Sequence, residues 1–325
     1  MENDRRVKLI LKMISESKEP IGSAEIAERL KEHGIDMPER TVRYHLKSIN
    51  DKGLIKVHWK EGRQITDKGL SEIRDSFVTD KMGFMSARID TLSYNMDFDV
   101  DSLKGSVIIN LSLIAEEAFD EAWEIMLPVF KKKLTTGDKV MVARAGDEVD
   151  RLTVPEGVVA IGTVCTVNIN GILLRHHIPM EAKFGGLLQF ENDRPLRFTE
   201  IIQYSGSTLD PHEIFIKSKM TRVNEALGGS GKILAGMREI PAVSANEAEA
   251  ILRRIESAGL GRALMIGKAG QEILGAMVGE QRVGIVVPGG LNPIAAVEEM
   301  GIETESQALK GLVDYGMLVH YKDVK

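Results

Sequence analysis

Cysteine is almost missing from this chain: among 325 residues there is one, Cys165. A lone thiol closes no internal disulfide and builds no cysteine zinc cluster, so disulfide-stapled secreted scaffolds and zinc ribbons are excluded. Long apolar runs are missing too. No stretch approaches the ~20 residues that cross a bilayer, and the start, Met-Glu-Asn-Asp-Arg-Arg, is not that of a secretory signal. The expectation is a soluble, cytoplasmic protein stabilised by packing. Hydrophobic residues at 43% and charged residues at 28% exclude disordered and collagen-like chains, and the length leaves room for two or three domains.

The net charge of −6 hides an asymmetry: residues 1–76 carry 16 Lys+Arg against 14 Asp+Glu, so the remainder is strongly acidic. The basic excess gathers between Met37 and Lys68, which gives the front of the chain a place to meet a polyanion. That front reads as a winged helix-turn-helix domain, residues 1–76. Val7, Ile10, Leu11 and Ile14 have helical spacing. Ser23 is expected to cap a second helix, Ala24 to His33, with Gly34 as its stop. Pro38 opens a third helix that runs to Gly53, followed by strands at Leu54 to Val57 and Gln64 to Thr66.

On a helical wheel, Val42, Leu46 and Ile49 of the third helix share one face. Arg40, Tyr44 and Lys47 fall opposite, flanked by Thr41 and Arg43. Guanidinium groups reach guanine edges in a major groove and cations neutralise phosphates, so this outer face is the candidate DNA reader. Lys60 and Arg63, at the wing, are candidates for backbone or minor-groove contacts.

From residue 81 onward glycine-rich strands alternate with helices, an α/β (α+β) pattern, and residues 77–325 form the second predicted domain. It contains an internal repeat, about residues 105–180 and 231–306. Gly105 matches Gly231, Gly137 matches Gly261 and Gly146 matches Gly270. Gly162, Val164, Asn170 and Ile172 are matched with Gly284, Val286, Asn292 and Ile294, at a spacing of 122 against 126 for the first pair and 124 for the next two. Each copy is expected to run strand, helix, strand, short helix, strand, helix, the second opening its first helix with a capping box, Ser244 to Glu247. Two such halves would pack about a pseudo-twofold axis with a cleft between them.

Signatures of catalysis fail in this domain. Gly228 to Lys232 imitates a phosphate loop, but Ala226 replaces its first glycine and Ile233 its magnesium-binding hydroxyl. No complete GxGxxG or GxSxG stands there, His176-His177 lacks metal-ligand spacing, and Cys165 sits in an apolar run as an inert thiol. The expectation is no catalysis and no metal. Anion binding is better supported. Val286 to Pro293 reads as strand, glycine turn at Gly289 and Gly290, Asn292 as cap and a proline in the first turn, a helix start with free N–H groups. Copy one offers Cys165, Thr166, Asn168 and Asn170 at the equivalent place. Two such turns across a cleft would suit a small dicarboxylate, with Ser205 and Ser207 as hydroxyl donors and Lys183 or Arg175 as countercharge.

The combination of a winged helix with IGTVCTVNINGILL, YSGSTLDPHEIF and VVPGGLNPIAAVEEMG resembles the NrpR family, archaeal repressors of nitrogen-regulated transcription. The resemblance spans nearly the whole chain. It implies a homodimer that binds double-stranded DNA at inverted-repeat operators of nitrogen-fixation and ammonium-assimilation genes and is released by 2-oxoglutarate. Fuller members carry two regulatory domains in tandem where this chain has one. The resemblance therefore leaves open repression alone or with a second NrpR-type regulatory protein, and contact with basal transcription factors. Two other classes remain open on the residues: an enzyme of small keto acids or amino acids with an appended winged helix, and an adaptor of the transcription machinery.

Overall fold

The computed structural model describes residues 2–17, 19–32, 35–58, 62–76, 83–150 and 152–324. The chain divides into two compact units, Met1–Lys81 and Met82–Lys325.

The first unit runs α1 (Glu2–Ser15), α2 (Ser23–Glu32), α3 (Glu39–Asp51), β1 (Ile55–His58), β2 (Gly62–Ile65) and α4 (Asp67–Ser76). β1 and β2 pair antiparallel, Ile55 opposite Ile65, and Ile21 adds a bridge to Arg63. This is a winged helix-turn-helix around one aliphatic core that includes Ile10, Ile14, Ile26, Leu30, Val42 and Leu46. Pro38 is the N-cap of α3, its fixed φ of −58° leading the chain into the first turn. The cap expected at Ser23 is not made. Ser23 is the first residue of α2, and its Oγ donates to Glu39 Oε1 at 2.8 Å, a tertiary bond that no local pattern encodes. The stop expected at His33 and Gly34 lies outside the described residues.

In the second unit α5 (Phe84–Asn95) precedes the first copy of a repeat. That copy is β3 (Ser106–Ala115), α6 (Phe119–Lys131), β4 (Lys139–Ala143), β5 (Glu148–Val149), β6 (Leu152–Thr153), β7 (Val158–Val164), α7 (Val167–Arg175) and β8 (Glu181–Glu191). The connecting segment holds β9 (Arg194–Gln203), α8 (Pro211–Lys217) and α9 (Val223–Leu227). The second copy is β10 (Gly231–Pro241), α10 (Ala245–Ser257), β11 (Met265–Ile266), β12 (Arg282–Pro288), α11 (Asn292–Glu299) and β13 (Glu305–Asp314), followed by β14 (Val319–His320).

Three expectations about the repeat change. The short helix expected inside each copy is the hairpin β5–β6 in the first and an Ile273–Ala276 bridge in the second. The capping box at Ser244 is not formed; its Oγ donates to Pro241 O, and α10 has no side-chain cap. The register also differs: β7 and β12 superpose Val164 on Pro288, which sets Asn168, not Asn170, opposite Asn292. Matching glycine to glycine slips that part by two residues, because the structure places Ala160 where the second copy has Gly284.

The two copies also do not close their sheets separately. All strand pairs are antiparallel, in two five-stranded sheets ordered β14-β4-β7-β3-β13 and β11-β12-β10-β8-β9. Each sheet takes a strand from the other copy: β8, ending copy one, lies beside β10, and β13, ending copy two, lies beside β3. The inner strands of both sheets are covered on both faces, whereas the edge strand β9 has no buried residue. β7 sends Val159 and Ile161 into one apolar cluster and Ala160 and Val164 into the other, which explains why its sequence is an unbroken apolar run rather than an alternation.

Candidate functional site

In the first unit the side chains of α3 sort by face. Val42, His45, Leu46 and Ile49 are buried, while Arg40, Arg43, Tyr44 and Lys47 are exposed and Thr41 is half-buried. Tyr44 is 71% exposed, unusual for a tyrosine with no solvent-facing duty, and its ring meets His45 edge-on at 5.5 Å. Burial pushes the His45 imidazole below its usual pKa, with Arg6 adding repulsion. Arg43 is less available than its neighbours: it is paired with Glu39 and its Nε donates to Ser23 Oγ at 3.2 Å. Arg63 is half-buried beside the Ile21 bridge, and Lys60 lies outside the described residues.

In the second unit the polar centre is built on Arg238. It stands on β10 at a bulge, is fully buried, and belongs to a strand otherwise almost wholly apolar. Its Nε donates to Asn170 Oδ1 at 2.9 Å and Nη2 to Thr166 Oγ1 at 2.6 Å, both at the start of α7. Nη1 has no partner among the described residues. Gly236 makes room for it, since a Cβ there would stand 2.5 Å from that nitrogen. A buried guanidinium with an idle donor carries a desolvation cost that a bound anion would offset.

Beside it is a small pocket of about 10 Å³, the space of a single water, lined by Ile89, Asn110, Cys165, Thr166, Tyr204, Asp210, His212, Gly290 and Leu309 among others. Thr166 and Val167 at the start of α7 and Gly290, two residues ahead of α11, border this pocket, so the two copies meet there. Burial governs the titration of its walls. The Asp210 carboxyl is pushed up to about 6 and the Cys165 thiol up to about 12, and the Tyr204 phenol is also raised. Burial pushes the His212 imidazole down to about 4, so it is neutral at physiological pH, and it shares a 3.3 Å hydrogen bond with Ala235 O through Nε2. Asp210 caps α8, accepting from His212 N and Glu213 N ahead of Pro211. Arg238 is thus a buried cation with one donor idle, facing a single carboxylate, Asp210, that burial raises to about 6. The chemistry this favours is capture of a carboxylate-bearing ligand.

A second cavity, an open groove of about 760 Å³, lies on the other side of Ile89, which lines both. Lys183, Ser205, Phe184, Phe198 and Met277 border it.

Residues 82–320 match the family described as NrpR regulatory domains NRD1 and 2, and residues 8–73 match the Ribonuclease R winged-helix domain. The chain belongs to the NrpR family. It is 35% identical over 313 residues to the "Global nitrogen regulator NrpRI" of Methanosarcina mazei, covering 96% of each chain. It is 29% identical to the "Global nitrogen regulator NrpR" of Methanococcus maripaludis and 32% identical to that of Methanocaldococcus jannaschii, of which it covers 53% and 51%. The crystal structure of a nitrogen repressor-like protein from Methanococcus jannaschii is similar to it with a TM-score of 0.61 at 29% identity, over 74% of this chain and 98% of that one. These relatives are named as regulators, not as enzymes.

The candidates named from sequence for this NrpR domain fall into three groups. Cys165, Thr166 and Gly290 line the small pocket, and Asn170 orients Arg238 above it. Lys183 and Ser205 border the groove, where Lys183 is already occupied by Glu181 at 2.9 Å and Glu239 at 4.0 Å and so makes a weak anchor for an anion.

The third group is structural. Asn168 Nδ2 donates to Ile108 O and Cys165 O while its Oδ1 accepts from Ile108 N, and Asn292 does the same to Leu234 O, Leu134 O and Leu234 N. The expected cap at Asn292 is therefore absent. These two asparagines clamp equivalent strands in the two copies, and the true repeat register is read from them. Gly289 is a close approach to Leu234, and Ser207 closes a local turn with Leu209. Arg175, an alternative countercharge, is exposed at the far end of α7.

Sequence reasoning missed Arg238, Tyr204 and His212. One signal was available for the first: an arginine inside an apolar strand has to be paired or used. Tyr204 and His212 carried no local signal, because the connecting segment reaches the pocket only through tertiary packing.

Proposed function

We propose that this NrpR-family protein is a homodimeric, DNA-binding transcriptional repressor of nitrogen-assimilation genes, released from an inverted-repeat operator by 2-oxoglutarate. In this reading α3 enters the major groove with Arg40, Tyr44 and Lys47 outward, aided by Thr41, Arg63 and Lys60. Two winged helices in a dimer must match the spacing of two half-sites, so a ligand that changes the arrangement of the arms changes the fit to DNA.

The observation that carries the reading is the buried Arg238 with its unpartnered Nη1, held by Thr166 and Asn170 at the start of α7 beside the small pocket. A carboxylate of 2-oxoglutarate would supply the missing acceptor, with Thr166, Asn170 and the Gly290 turn around it. The pocket has room for about one water, so a dicarboxylate has to part its walls to enter. That requirement links binding to a change of shape, which is what an allosteric repressor needs.

The test is a titration of 2-oxoglutarate into a mixture of protein and operator DNA. A tenfold loss of operator affinity corresponds to about 1.4 kcal/mol of coupling. Unchanged affinity at millimolar 2-oxoglutarate refutes the assignment of the effector.

A further inference from the structure

We propose that Arg88 is the positioning residue that transmits effector binding to the DNA-binding unit, by locking α5 to the bulge of β13 that walls the Arg238 pocket. The inference rests on the effector reading above and names the route by which that site acts.

Three observations converge on α5. It is the first helix after residues 77–82, the stretch that joins it in sequence to the winged helix, so a shift of α5 shifts the point from which that stretch departs. It also supplies Ile89, the side chain that borders both the open groove and the small pocket. Next to Ile89, Arg88 reaches across to β13, where Nε donates to Leu309 O at 3.1 Å and Nη2 donates to Leu309 O and to Lys310 O at 3.2 Å.

The segment it grips is unusual. The pairing of β13 with β3 breaks between Gln307 and Gly311, which frees the backbone groups of residues 308–310 from the ladder. Leu309 is held at φ +52°, a left-handed conformation that a leucine adopts only under constraint. Its side chain is buried and forms part of the pocket wall. Side chains from three elements satisfy the bulge: Arg88 of α5 takes the carbonyls, Asn110 of β3 accepts from Leu309 N at 3.3 Å, and Glu213 of α8 accepts from Ala308 N. Ile89 and Leu309 are thus two walls of one pocket, fastened together by the residue beside the first. A ligand that parts the walls has to move the bulge, and through Arg88 the bulge moves α5. Without the guanidinium, the bulge can move away while α5 stays in place.

The experiment compares the full chain with Arg88→Met, Arg88→Gln and Arg88→Lys. Calorimetry reads 2-oxoglutarate affinity, and fluorescence anisotropy reads operator affinity with and without saturating 2-oxoglutarate. Arg88→Met is expected to keep both separate affinities within about threefold of the parent, while the ratio of the two operator affinities collapses towards unity. Arg88→Lys, which keeps one charged donor, should restore part of that ratio, an outcome a purely structural role would not produce. If Arg88→Met does not melt cooperatively, Arg88→Gln carries the same readout.

A variant that still responds to ligand as the parent does overturns the proposal. So does one that loses ligand binding itself, because Arg88 would then belong to the site rather than to the linkage. A parent protein that binds no 2-oxoglutarate, or whose operator affinity ignores it, refutes the effector reading and this inference with it. A responsive parent with an equally responsive Arg88→Met refutes the linkage alone.

Discussion

Replacing Arg238 by methionine separates a ligand anchor from a structural brace, because the two roles predict opposite signs. The side chain is fully buried, makes two side-chain hydrogen bonds, and leaves Nη1 idle. Removing it strands Thr166 Oγ1 and Asn170 Oδ1 as acceptors, each at about 1–3 kcal/mol if it finds no other donor. Against that, it abolishes the effective penalty of several kcal/mol for holding an incompletely paired ion away from water. The two nearly cancel. The unfolding free energy of Arg238→Met is therefore expected within about 2 kcal/mol of the parent, or above it, and the melting temperature within about 4–8 °C for a domain of this size.

Carboxylate binding should respond differently, since a charge-assisted bond to a desolvated guanidinium is worth roughly 2–4 kcal/mol, or about 30-fold or more in affinity. Differential scanning fluorimetry and calorimetry with 2-oxoglutarate read both quantities on one preparation. The reasoning is refuted if Arg238→Met binds 2-oxoglutarate as tightly as the parent while melting far lower, for then the guanidinium is a brace.

Alanine at Asn168 or Asn292 removes three hydrogen bonds to buried backbone, and chemical denaturation should show about 3–5 kcal/mol lost at each; a loss under about 1 kcal/mol would refute the clamp. On α3, Arg40→Ala, Tyr44→Ala and Lys47→Ala should each weaken operator binding, with the salt slope falling by about one for each phosphate that is no longer neutralised. Arg43→Ala should cost less, because Glu39 and Ser23 already engage that side chain; parent-like binding by the first three in a salt titration counts against the groove assignment.

Stability against pH tests the pocket walls. Asp210, raised to about 6 by burial, holds its proton better folded than unfolded, so its contribution is present below about pH 4 and lost as pH climbs through 6. His212, depressed to about 4 by burial, acts oppositely, adding stability as pH rises from 4 to 6.5. Asn also caps helices, so Asp210→Asn should leave the His212 trend unopposed and steepen the gain between pH 4.5 and 6.5 by about 2 kcal/mol. Equal urea midpoint differences in parent and variant would sink this account.

Much of the first unit was legible in its residues. Apolar side chains spaced three and four apart have one face to bury on an α-helix, so the wheel of α3 by itself separates Val42, Leu46 and Ile49 from Arg40, Tyr44 and Lys47. What it could not show was Ser23 turning away from its own helix to Glu39, because a cap and a tertiary bond compete for the same hydroxyl. The repeat was legible as a rhythm of strands and helices, but its register was not. Glycines match wherever turns recur, whereas the equivalence of Asn168 and Asn292 lies in what their amides hold.

The sequence by itself determined the order of elements, the acidic body behind a basic front, the lack of an enzyme signature, and the opening of α3 at Pro38. Each follows from neighbours within a few residues, where periodicity, capping and charge act. Tertiary structure alone decided that the copies exchange their last strands, that Arg238 is sealed against α7 with an idle donor, and that Arg88 grips the carbonyls of Leu309 and Lys310 from 221 and 222 positions away. The reason is physical: burial and hydrogen-bond satisfaction depend on which distant surfaces meet, and no local pattern records the partner a polar group will have once water has left.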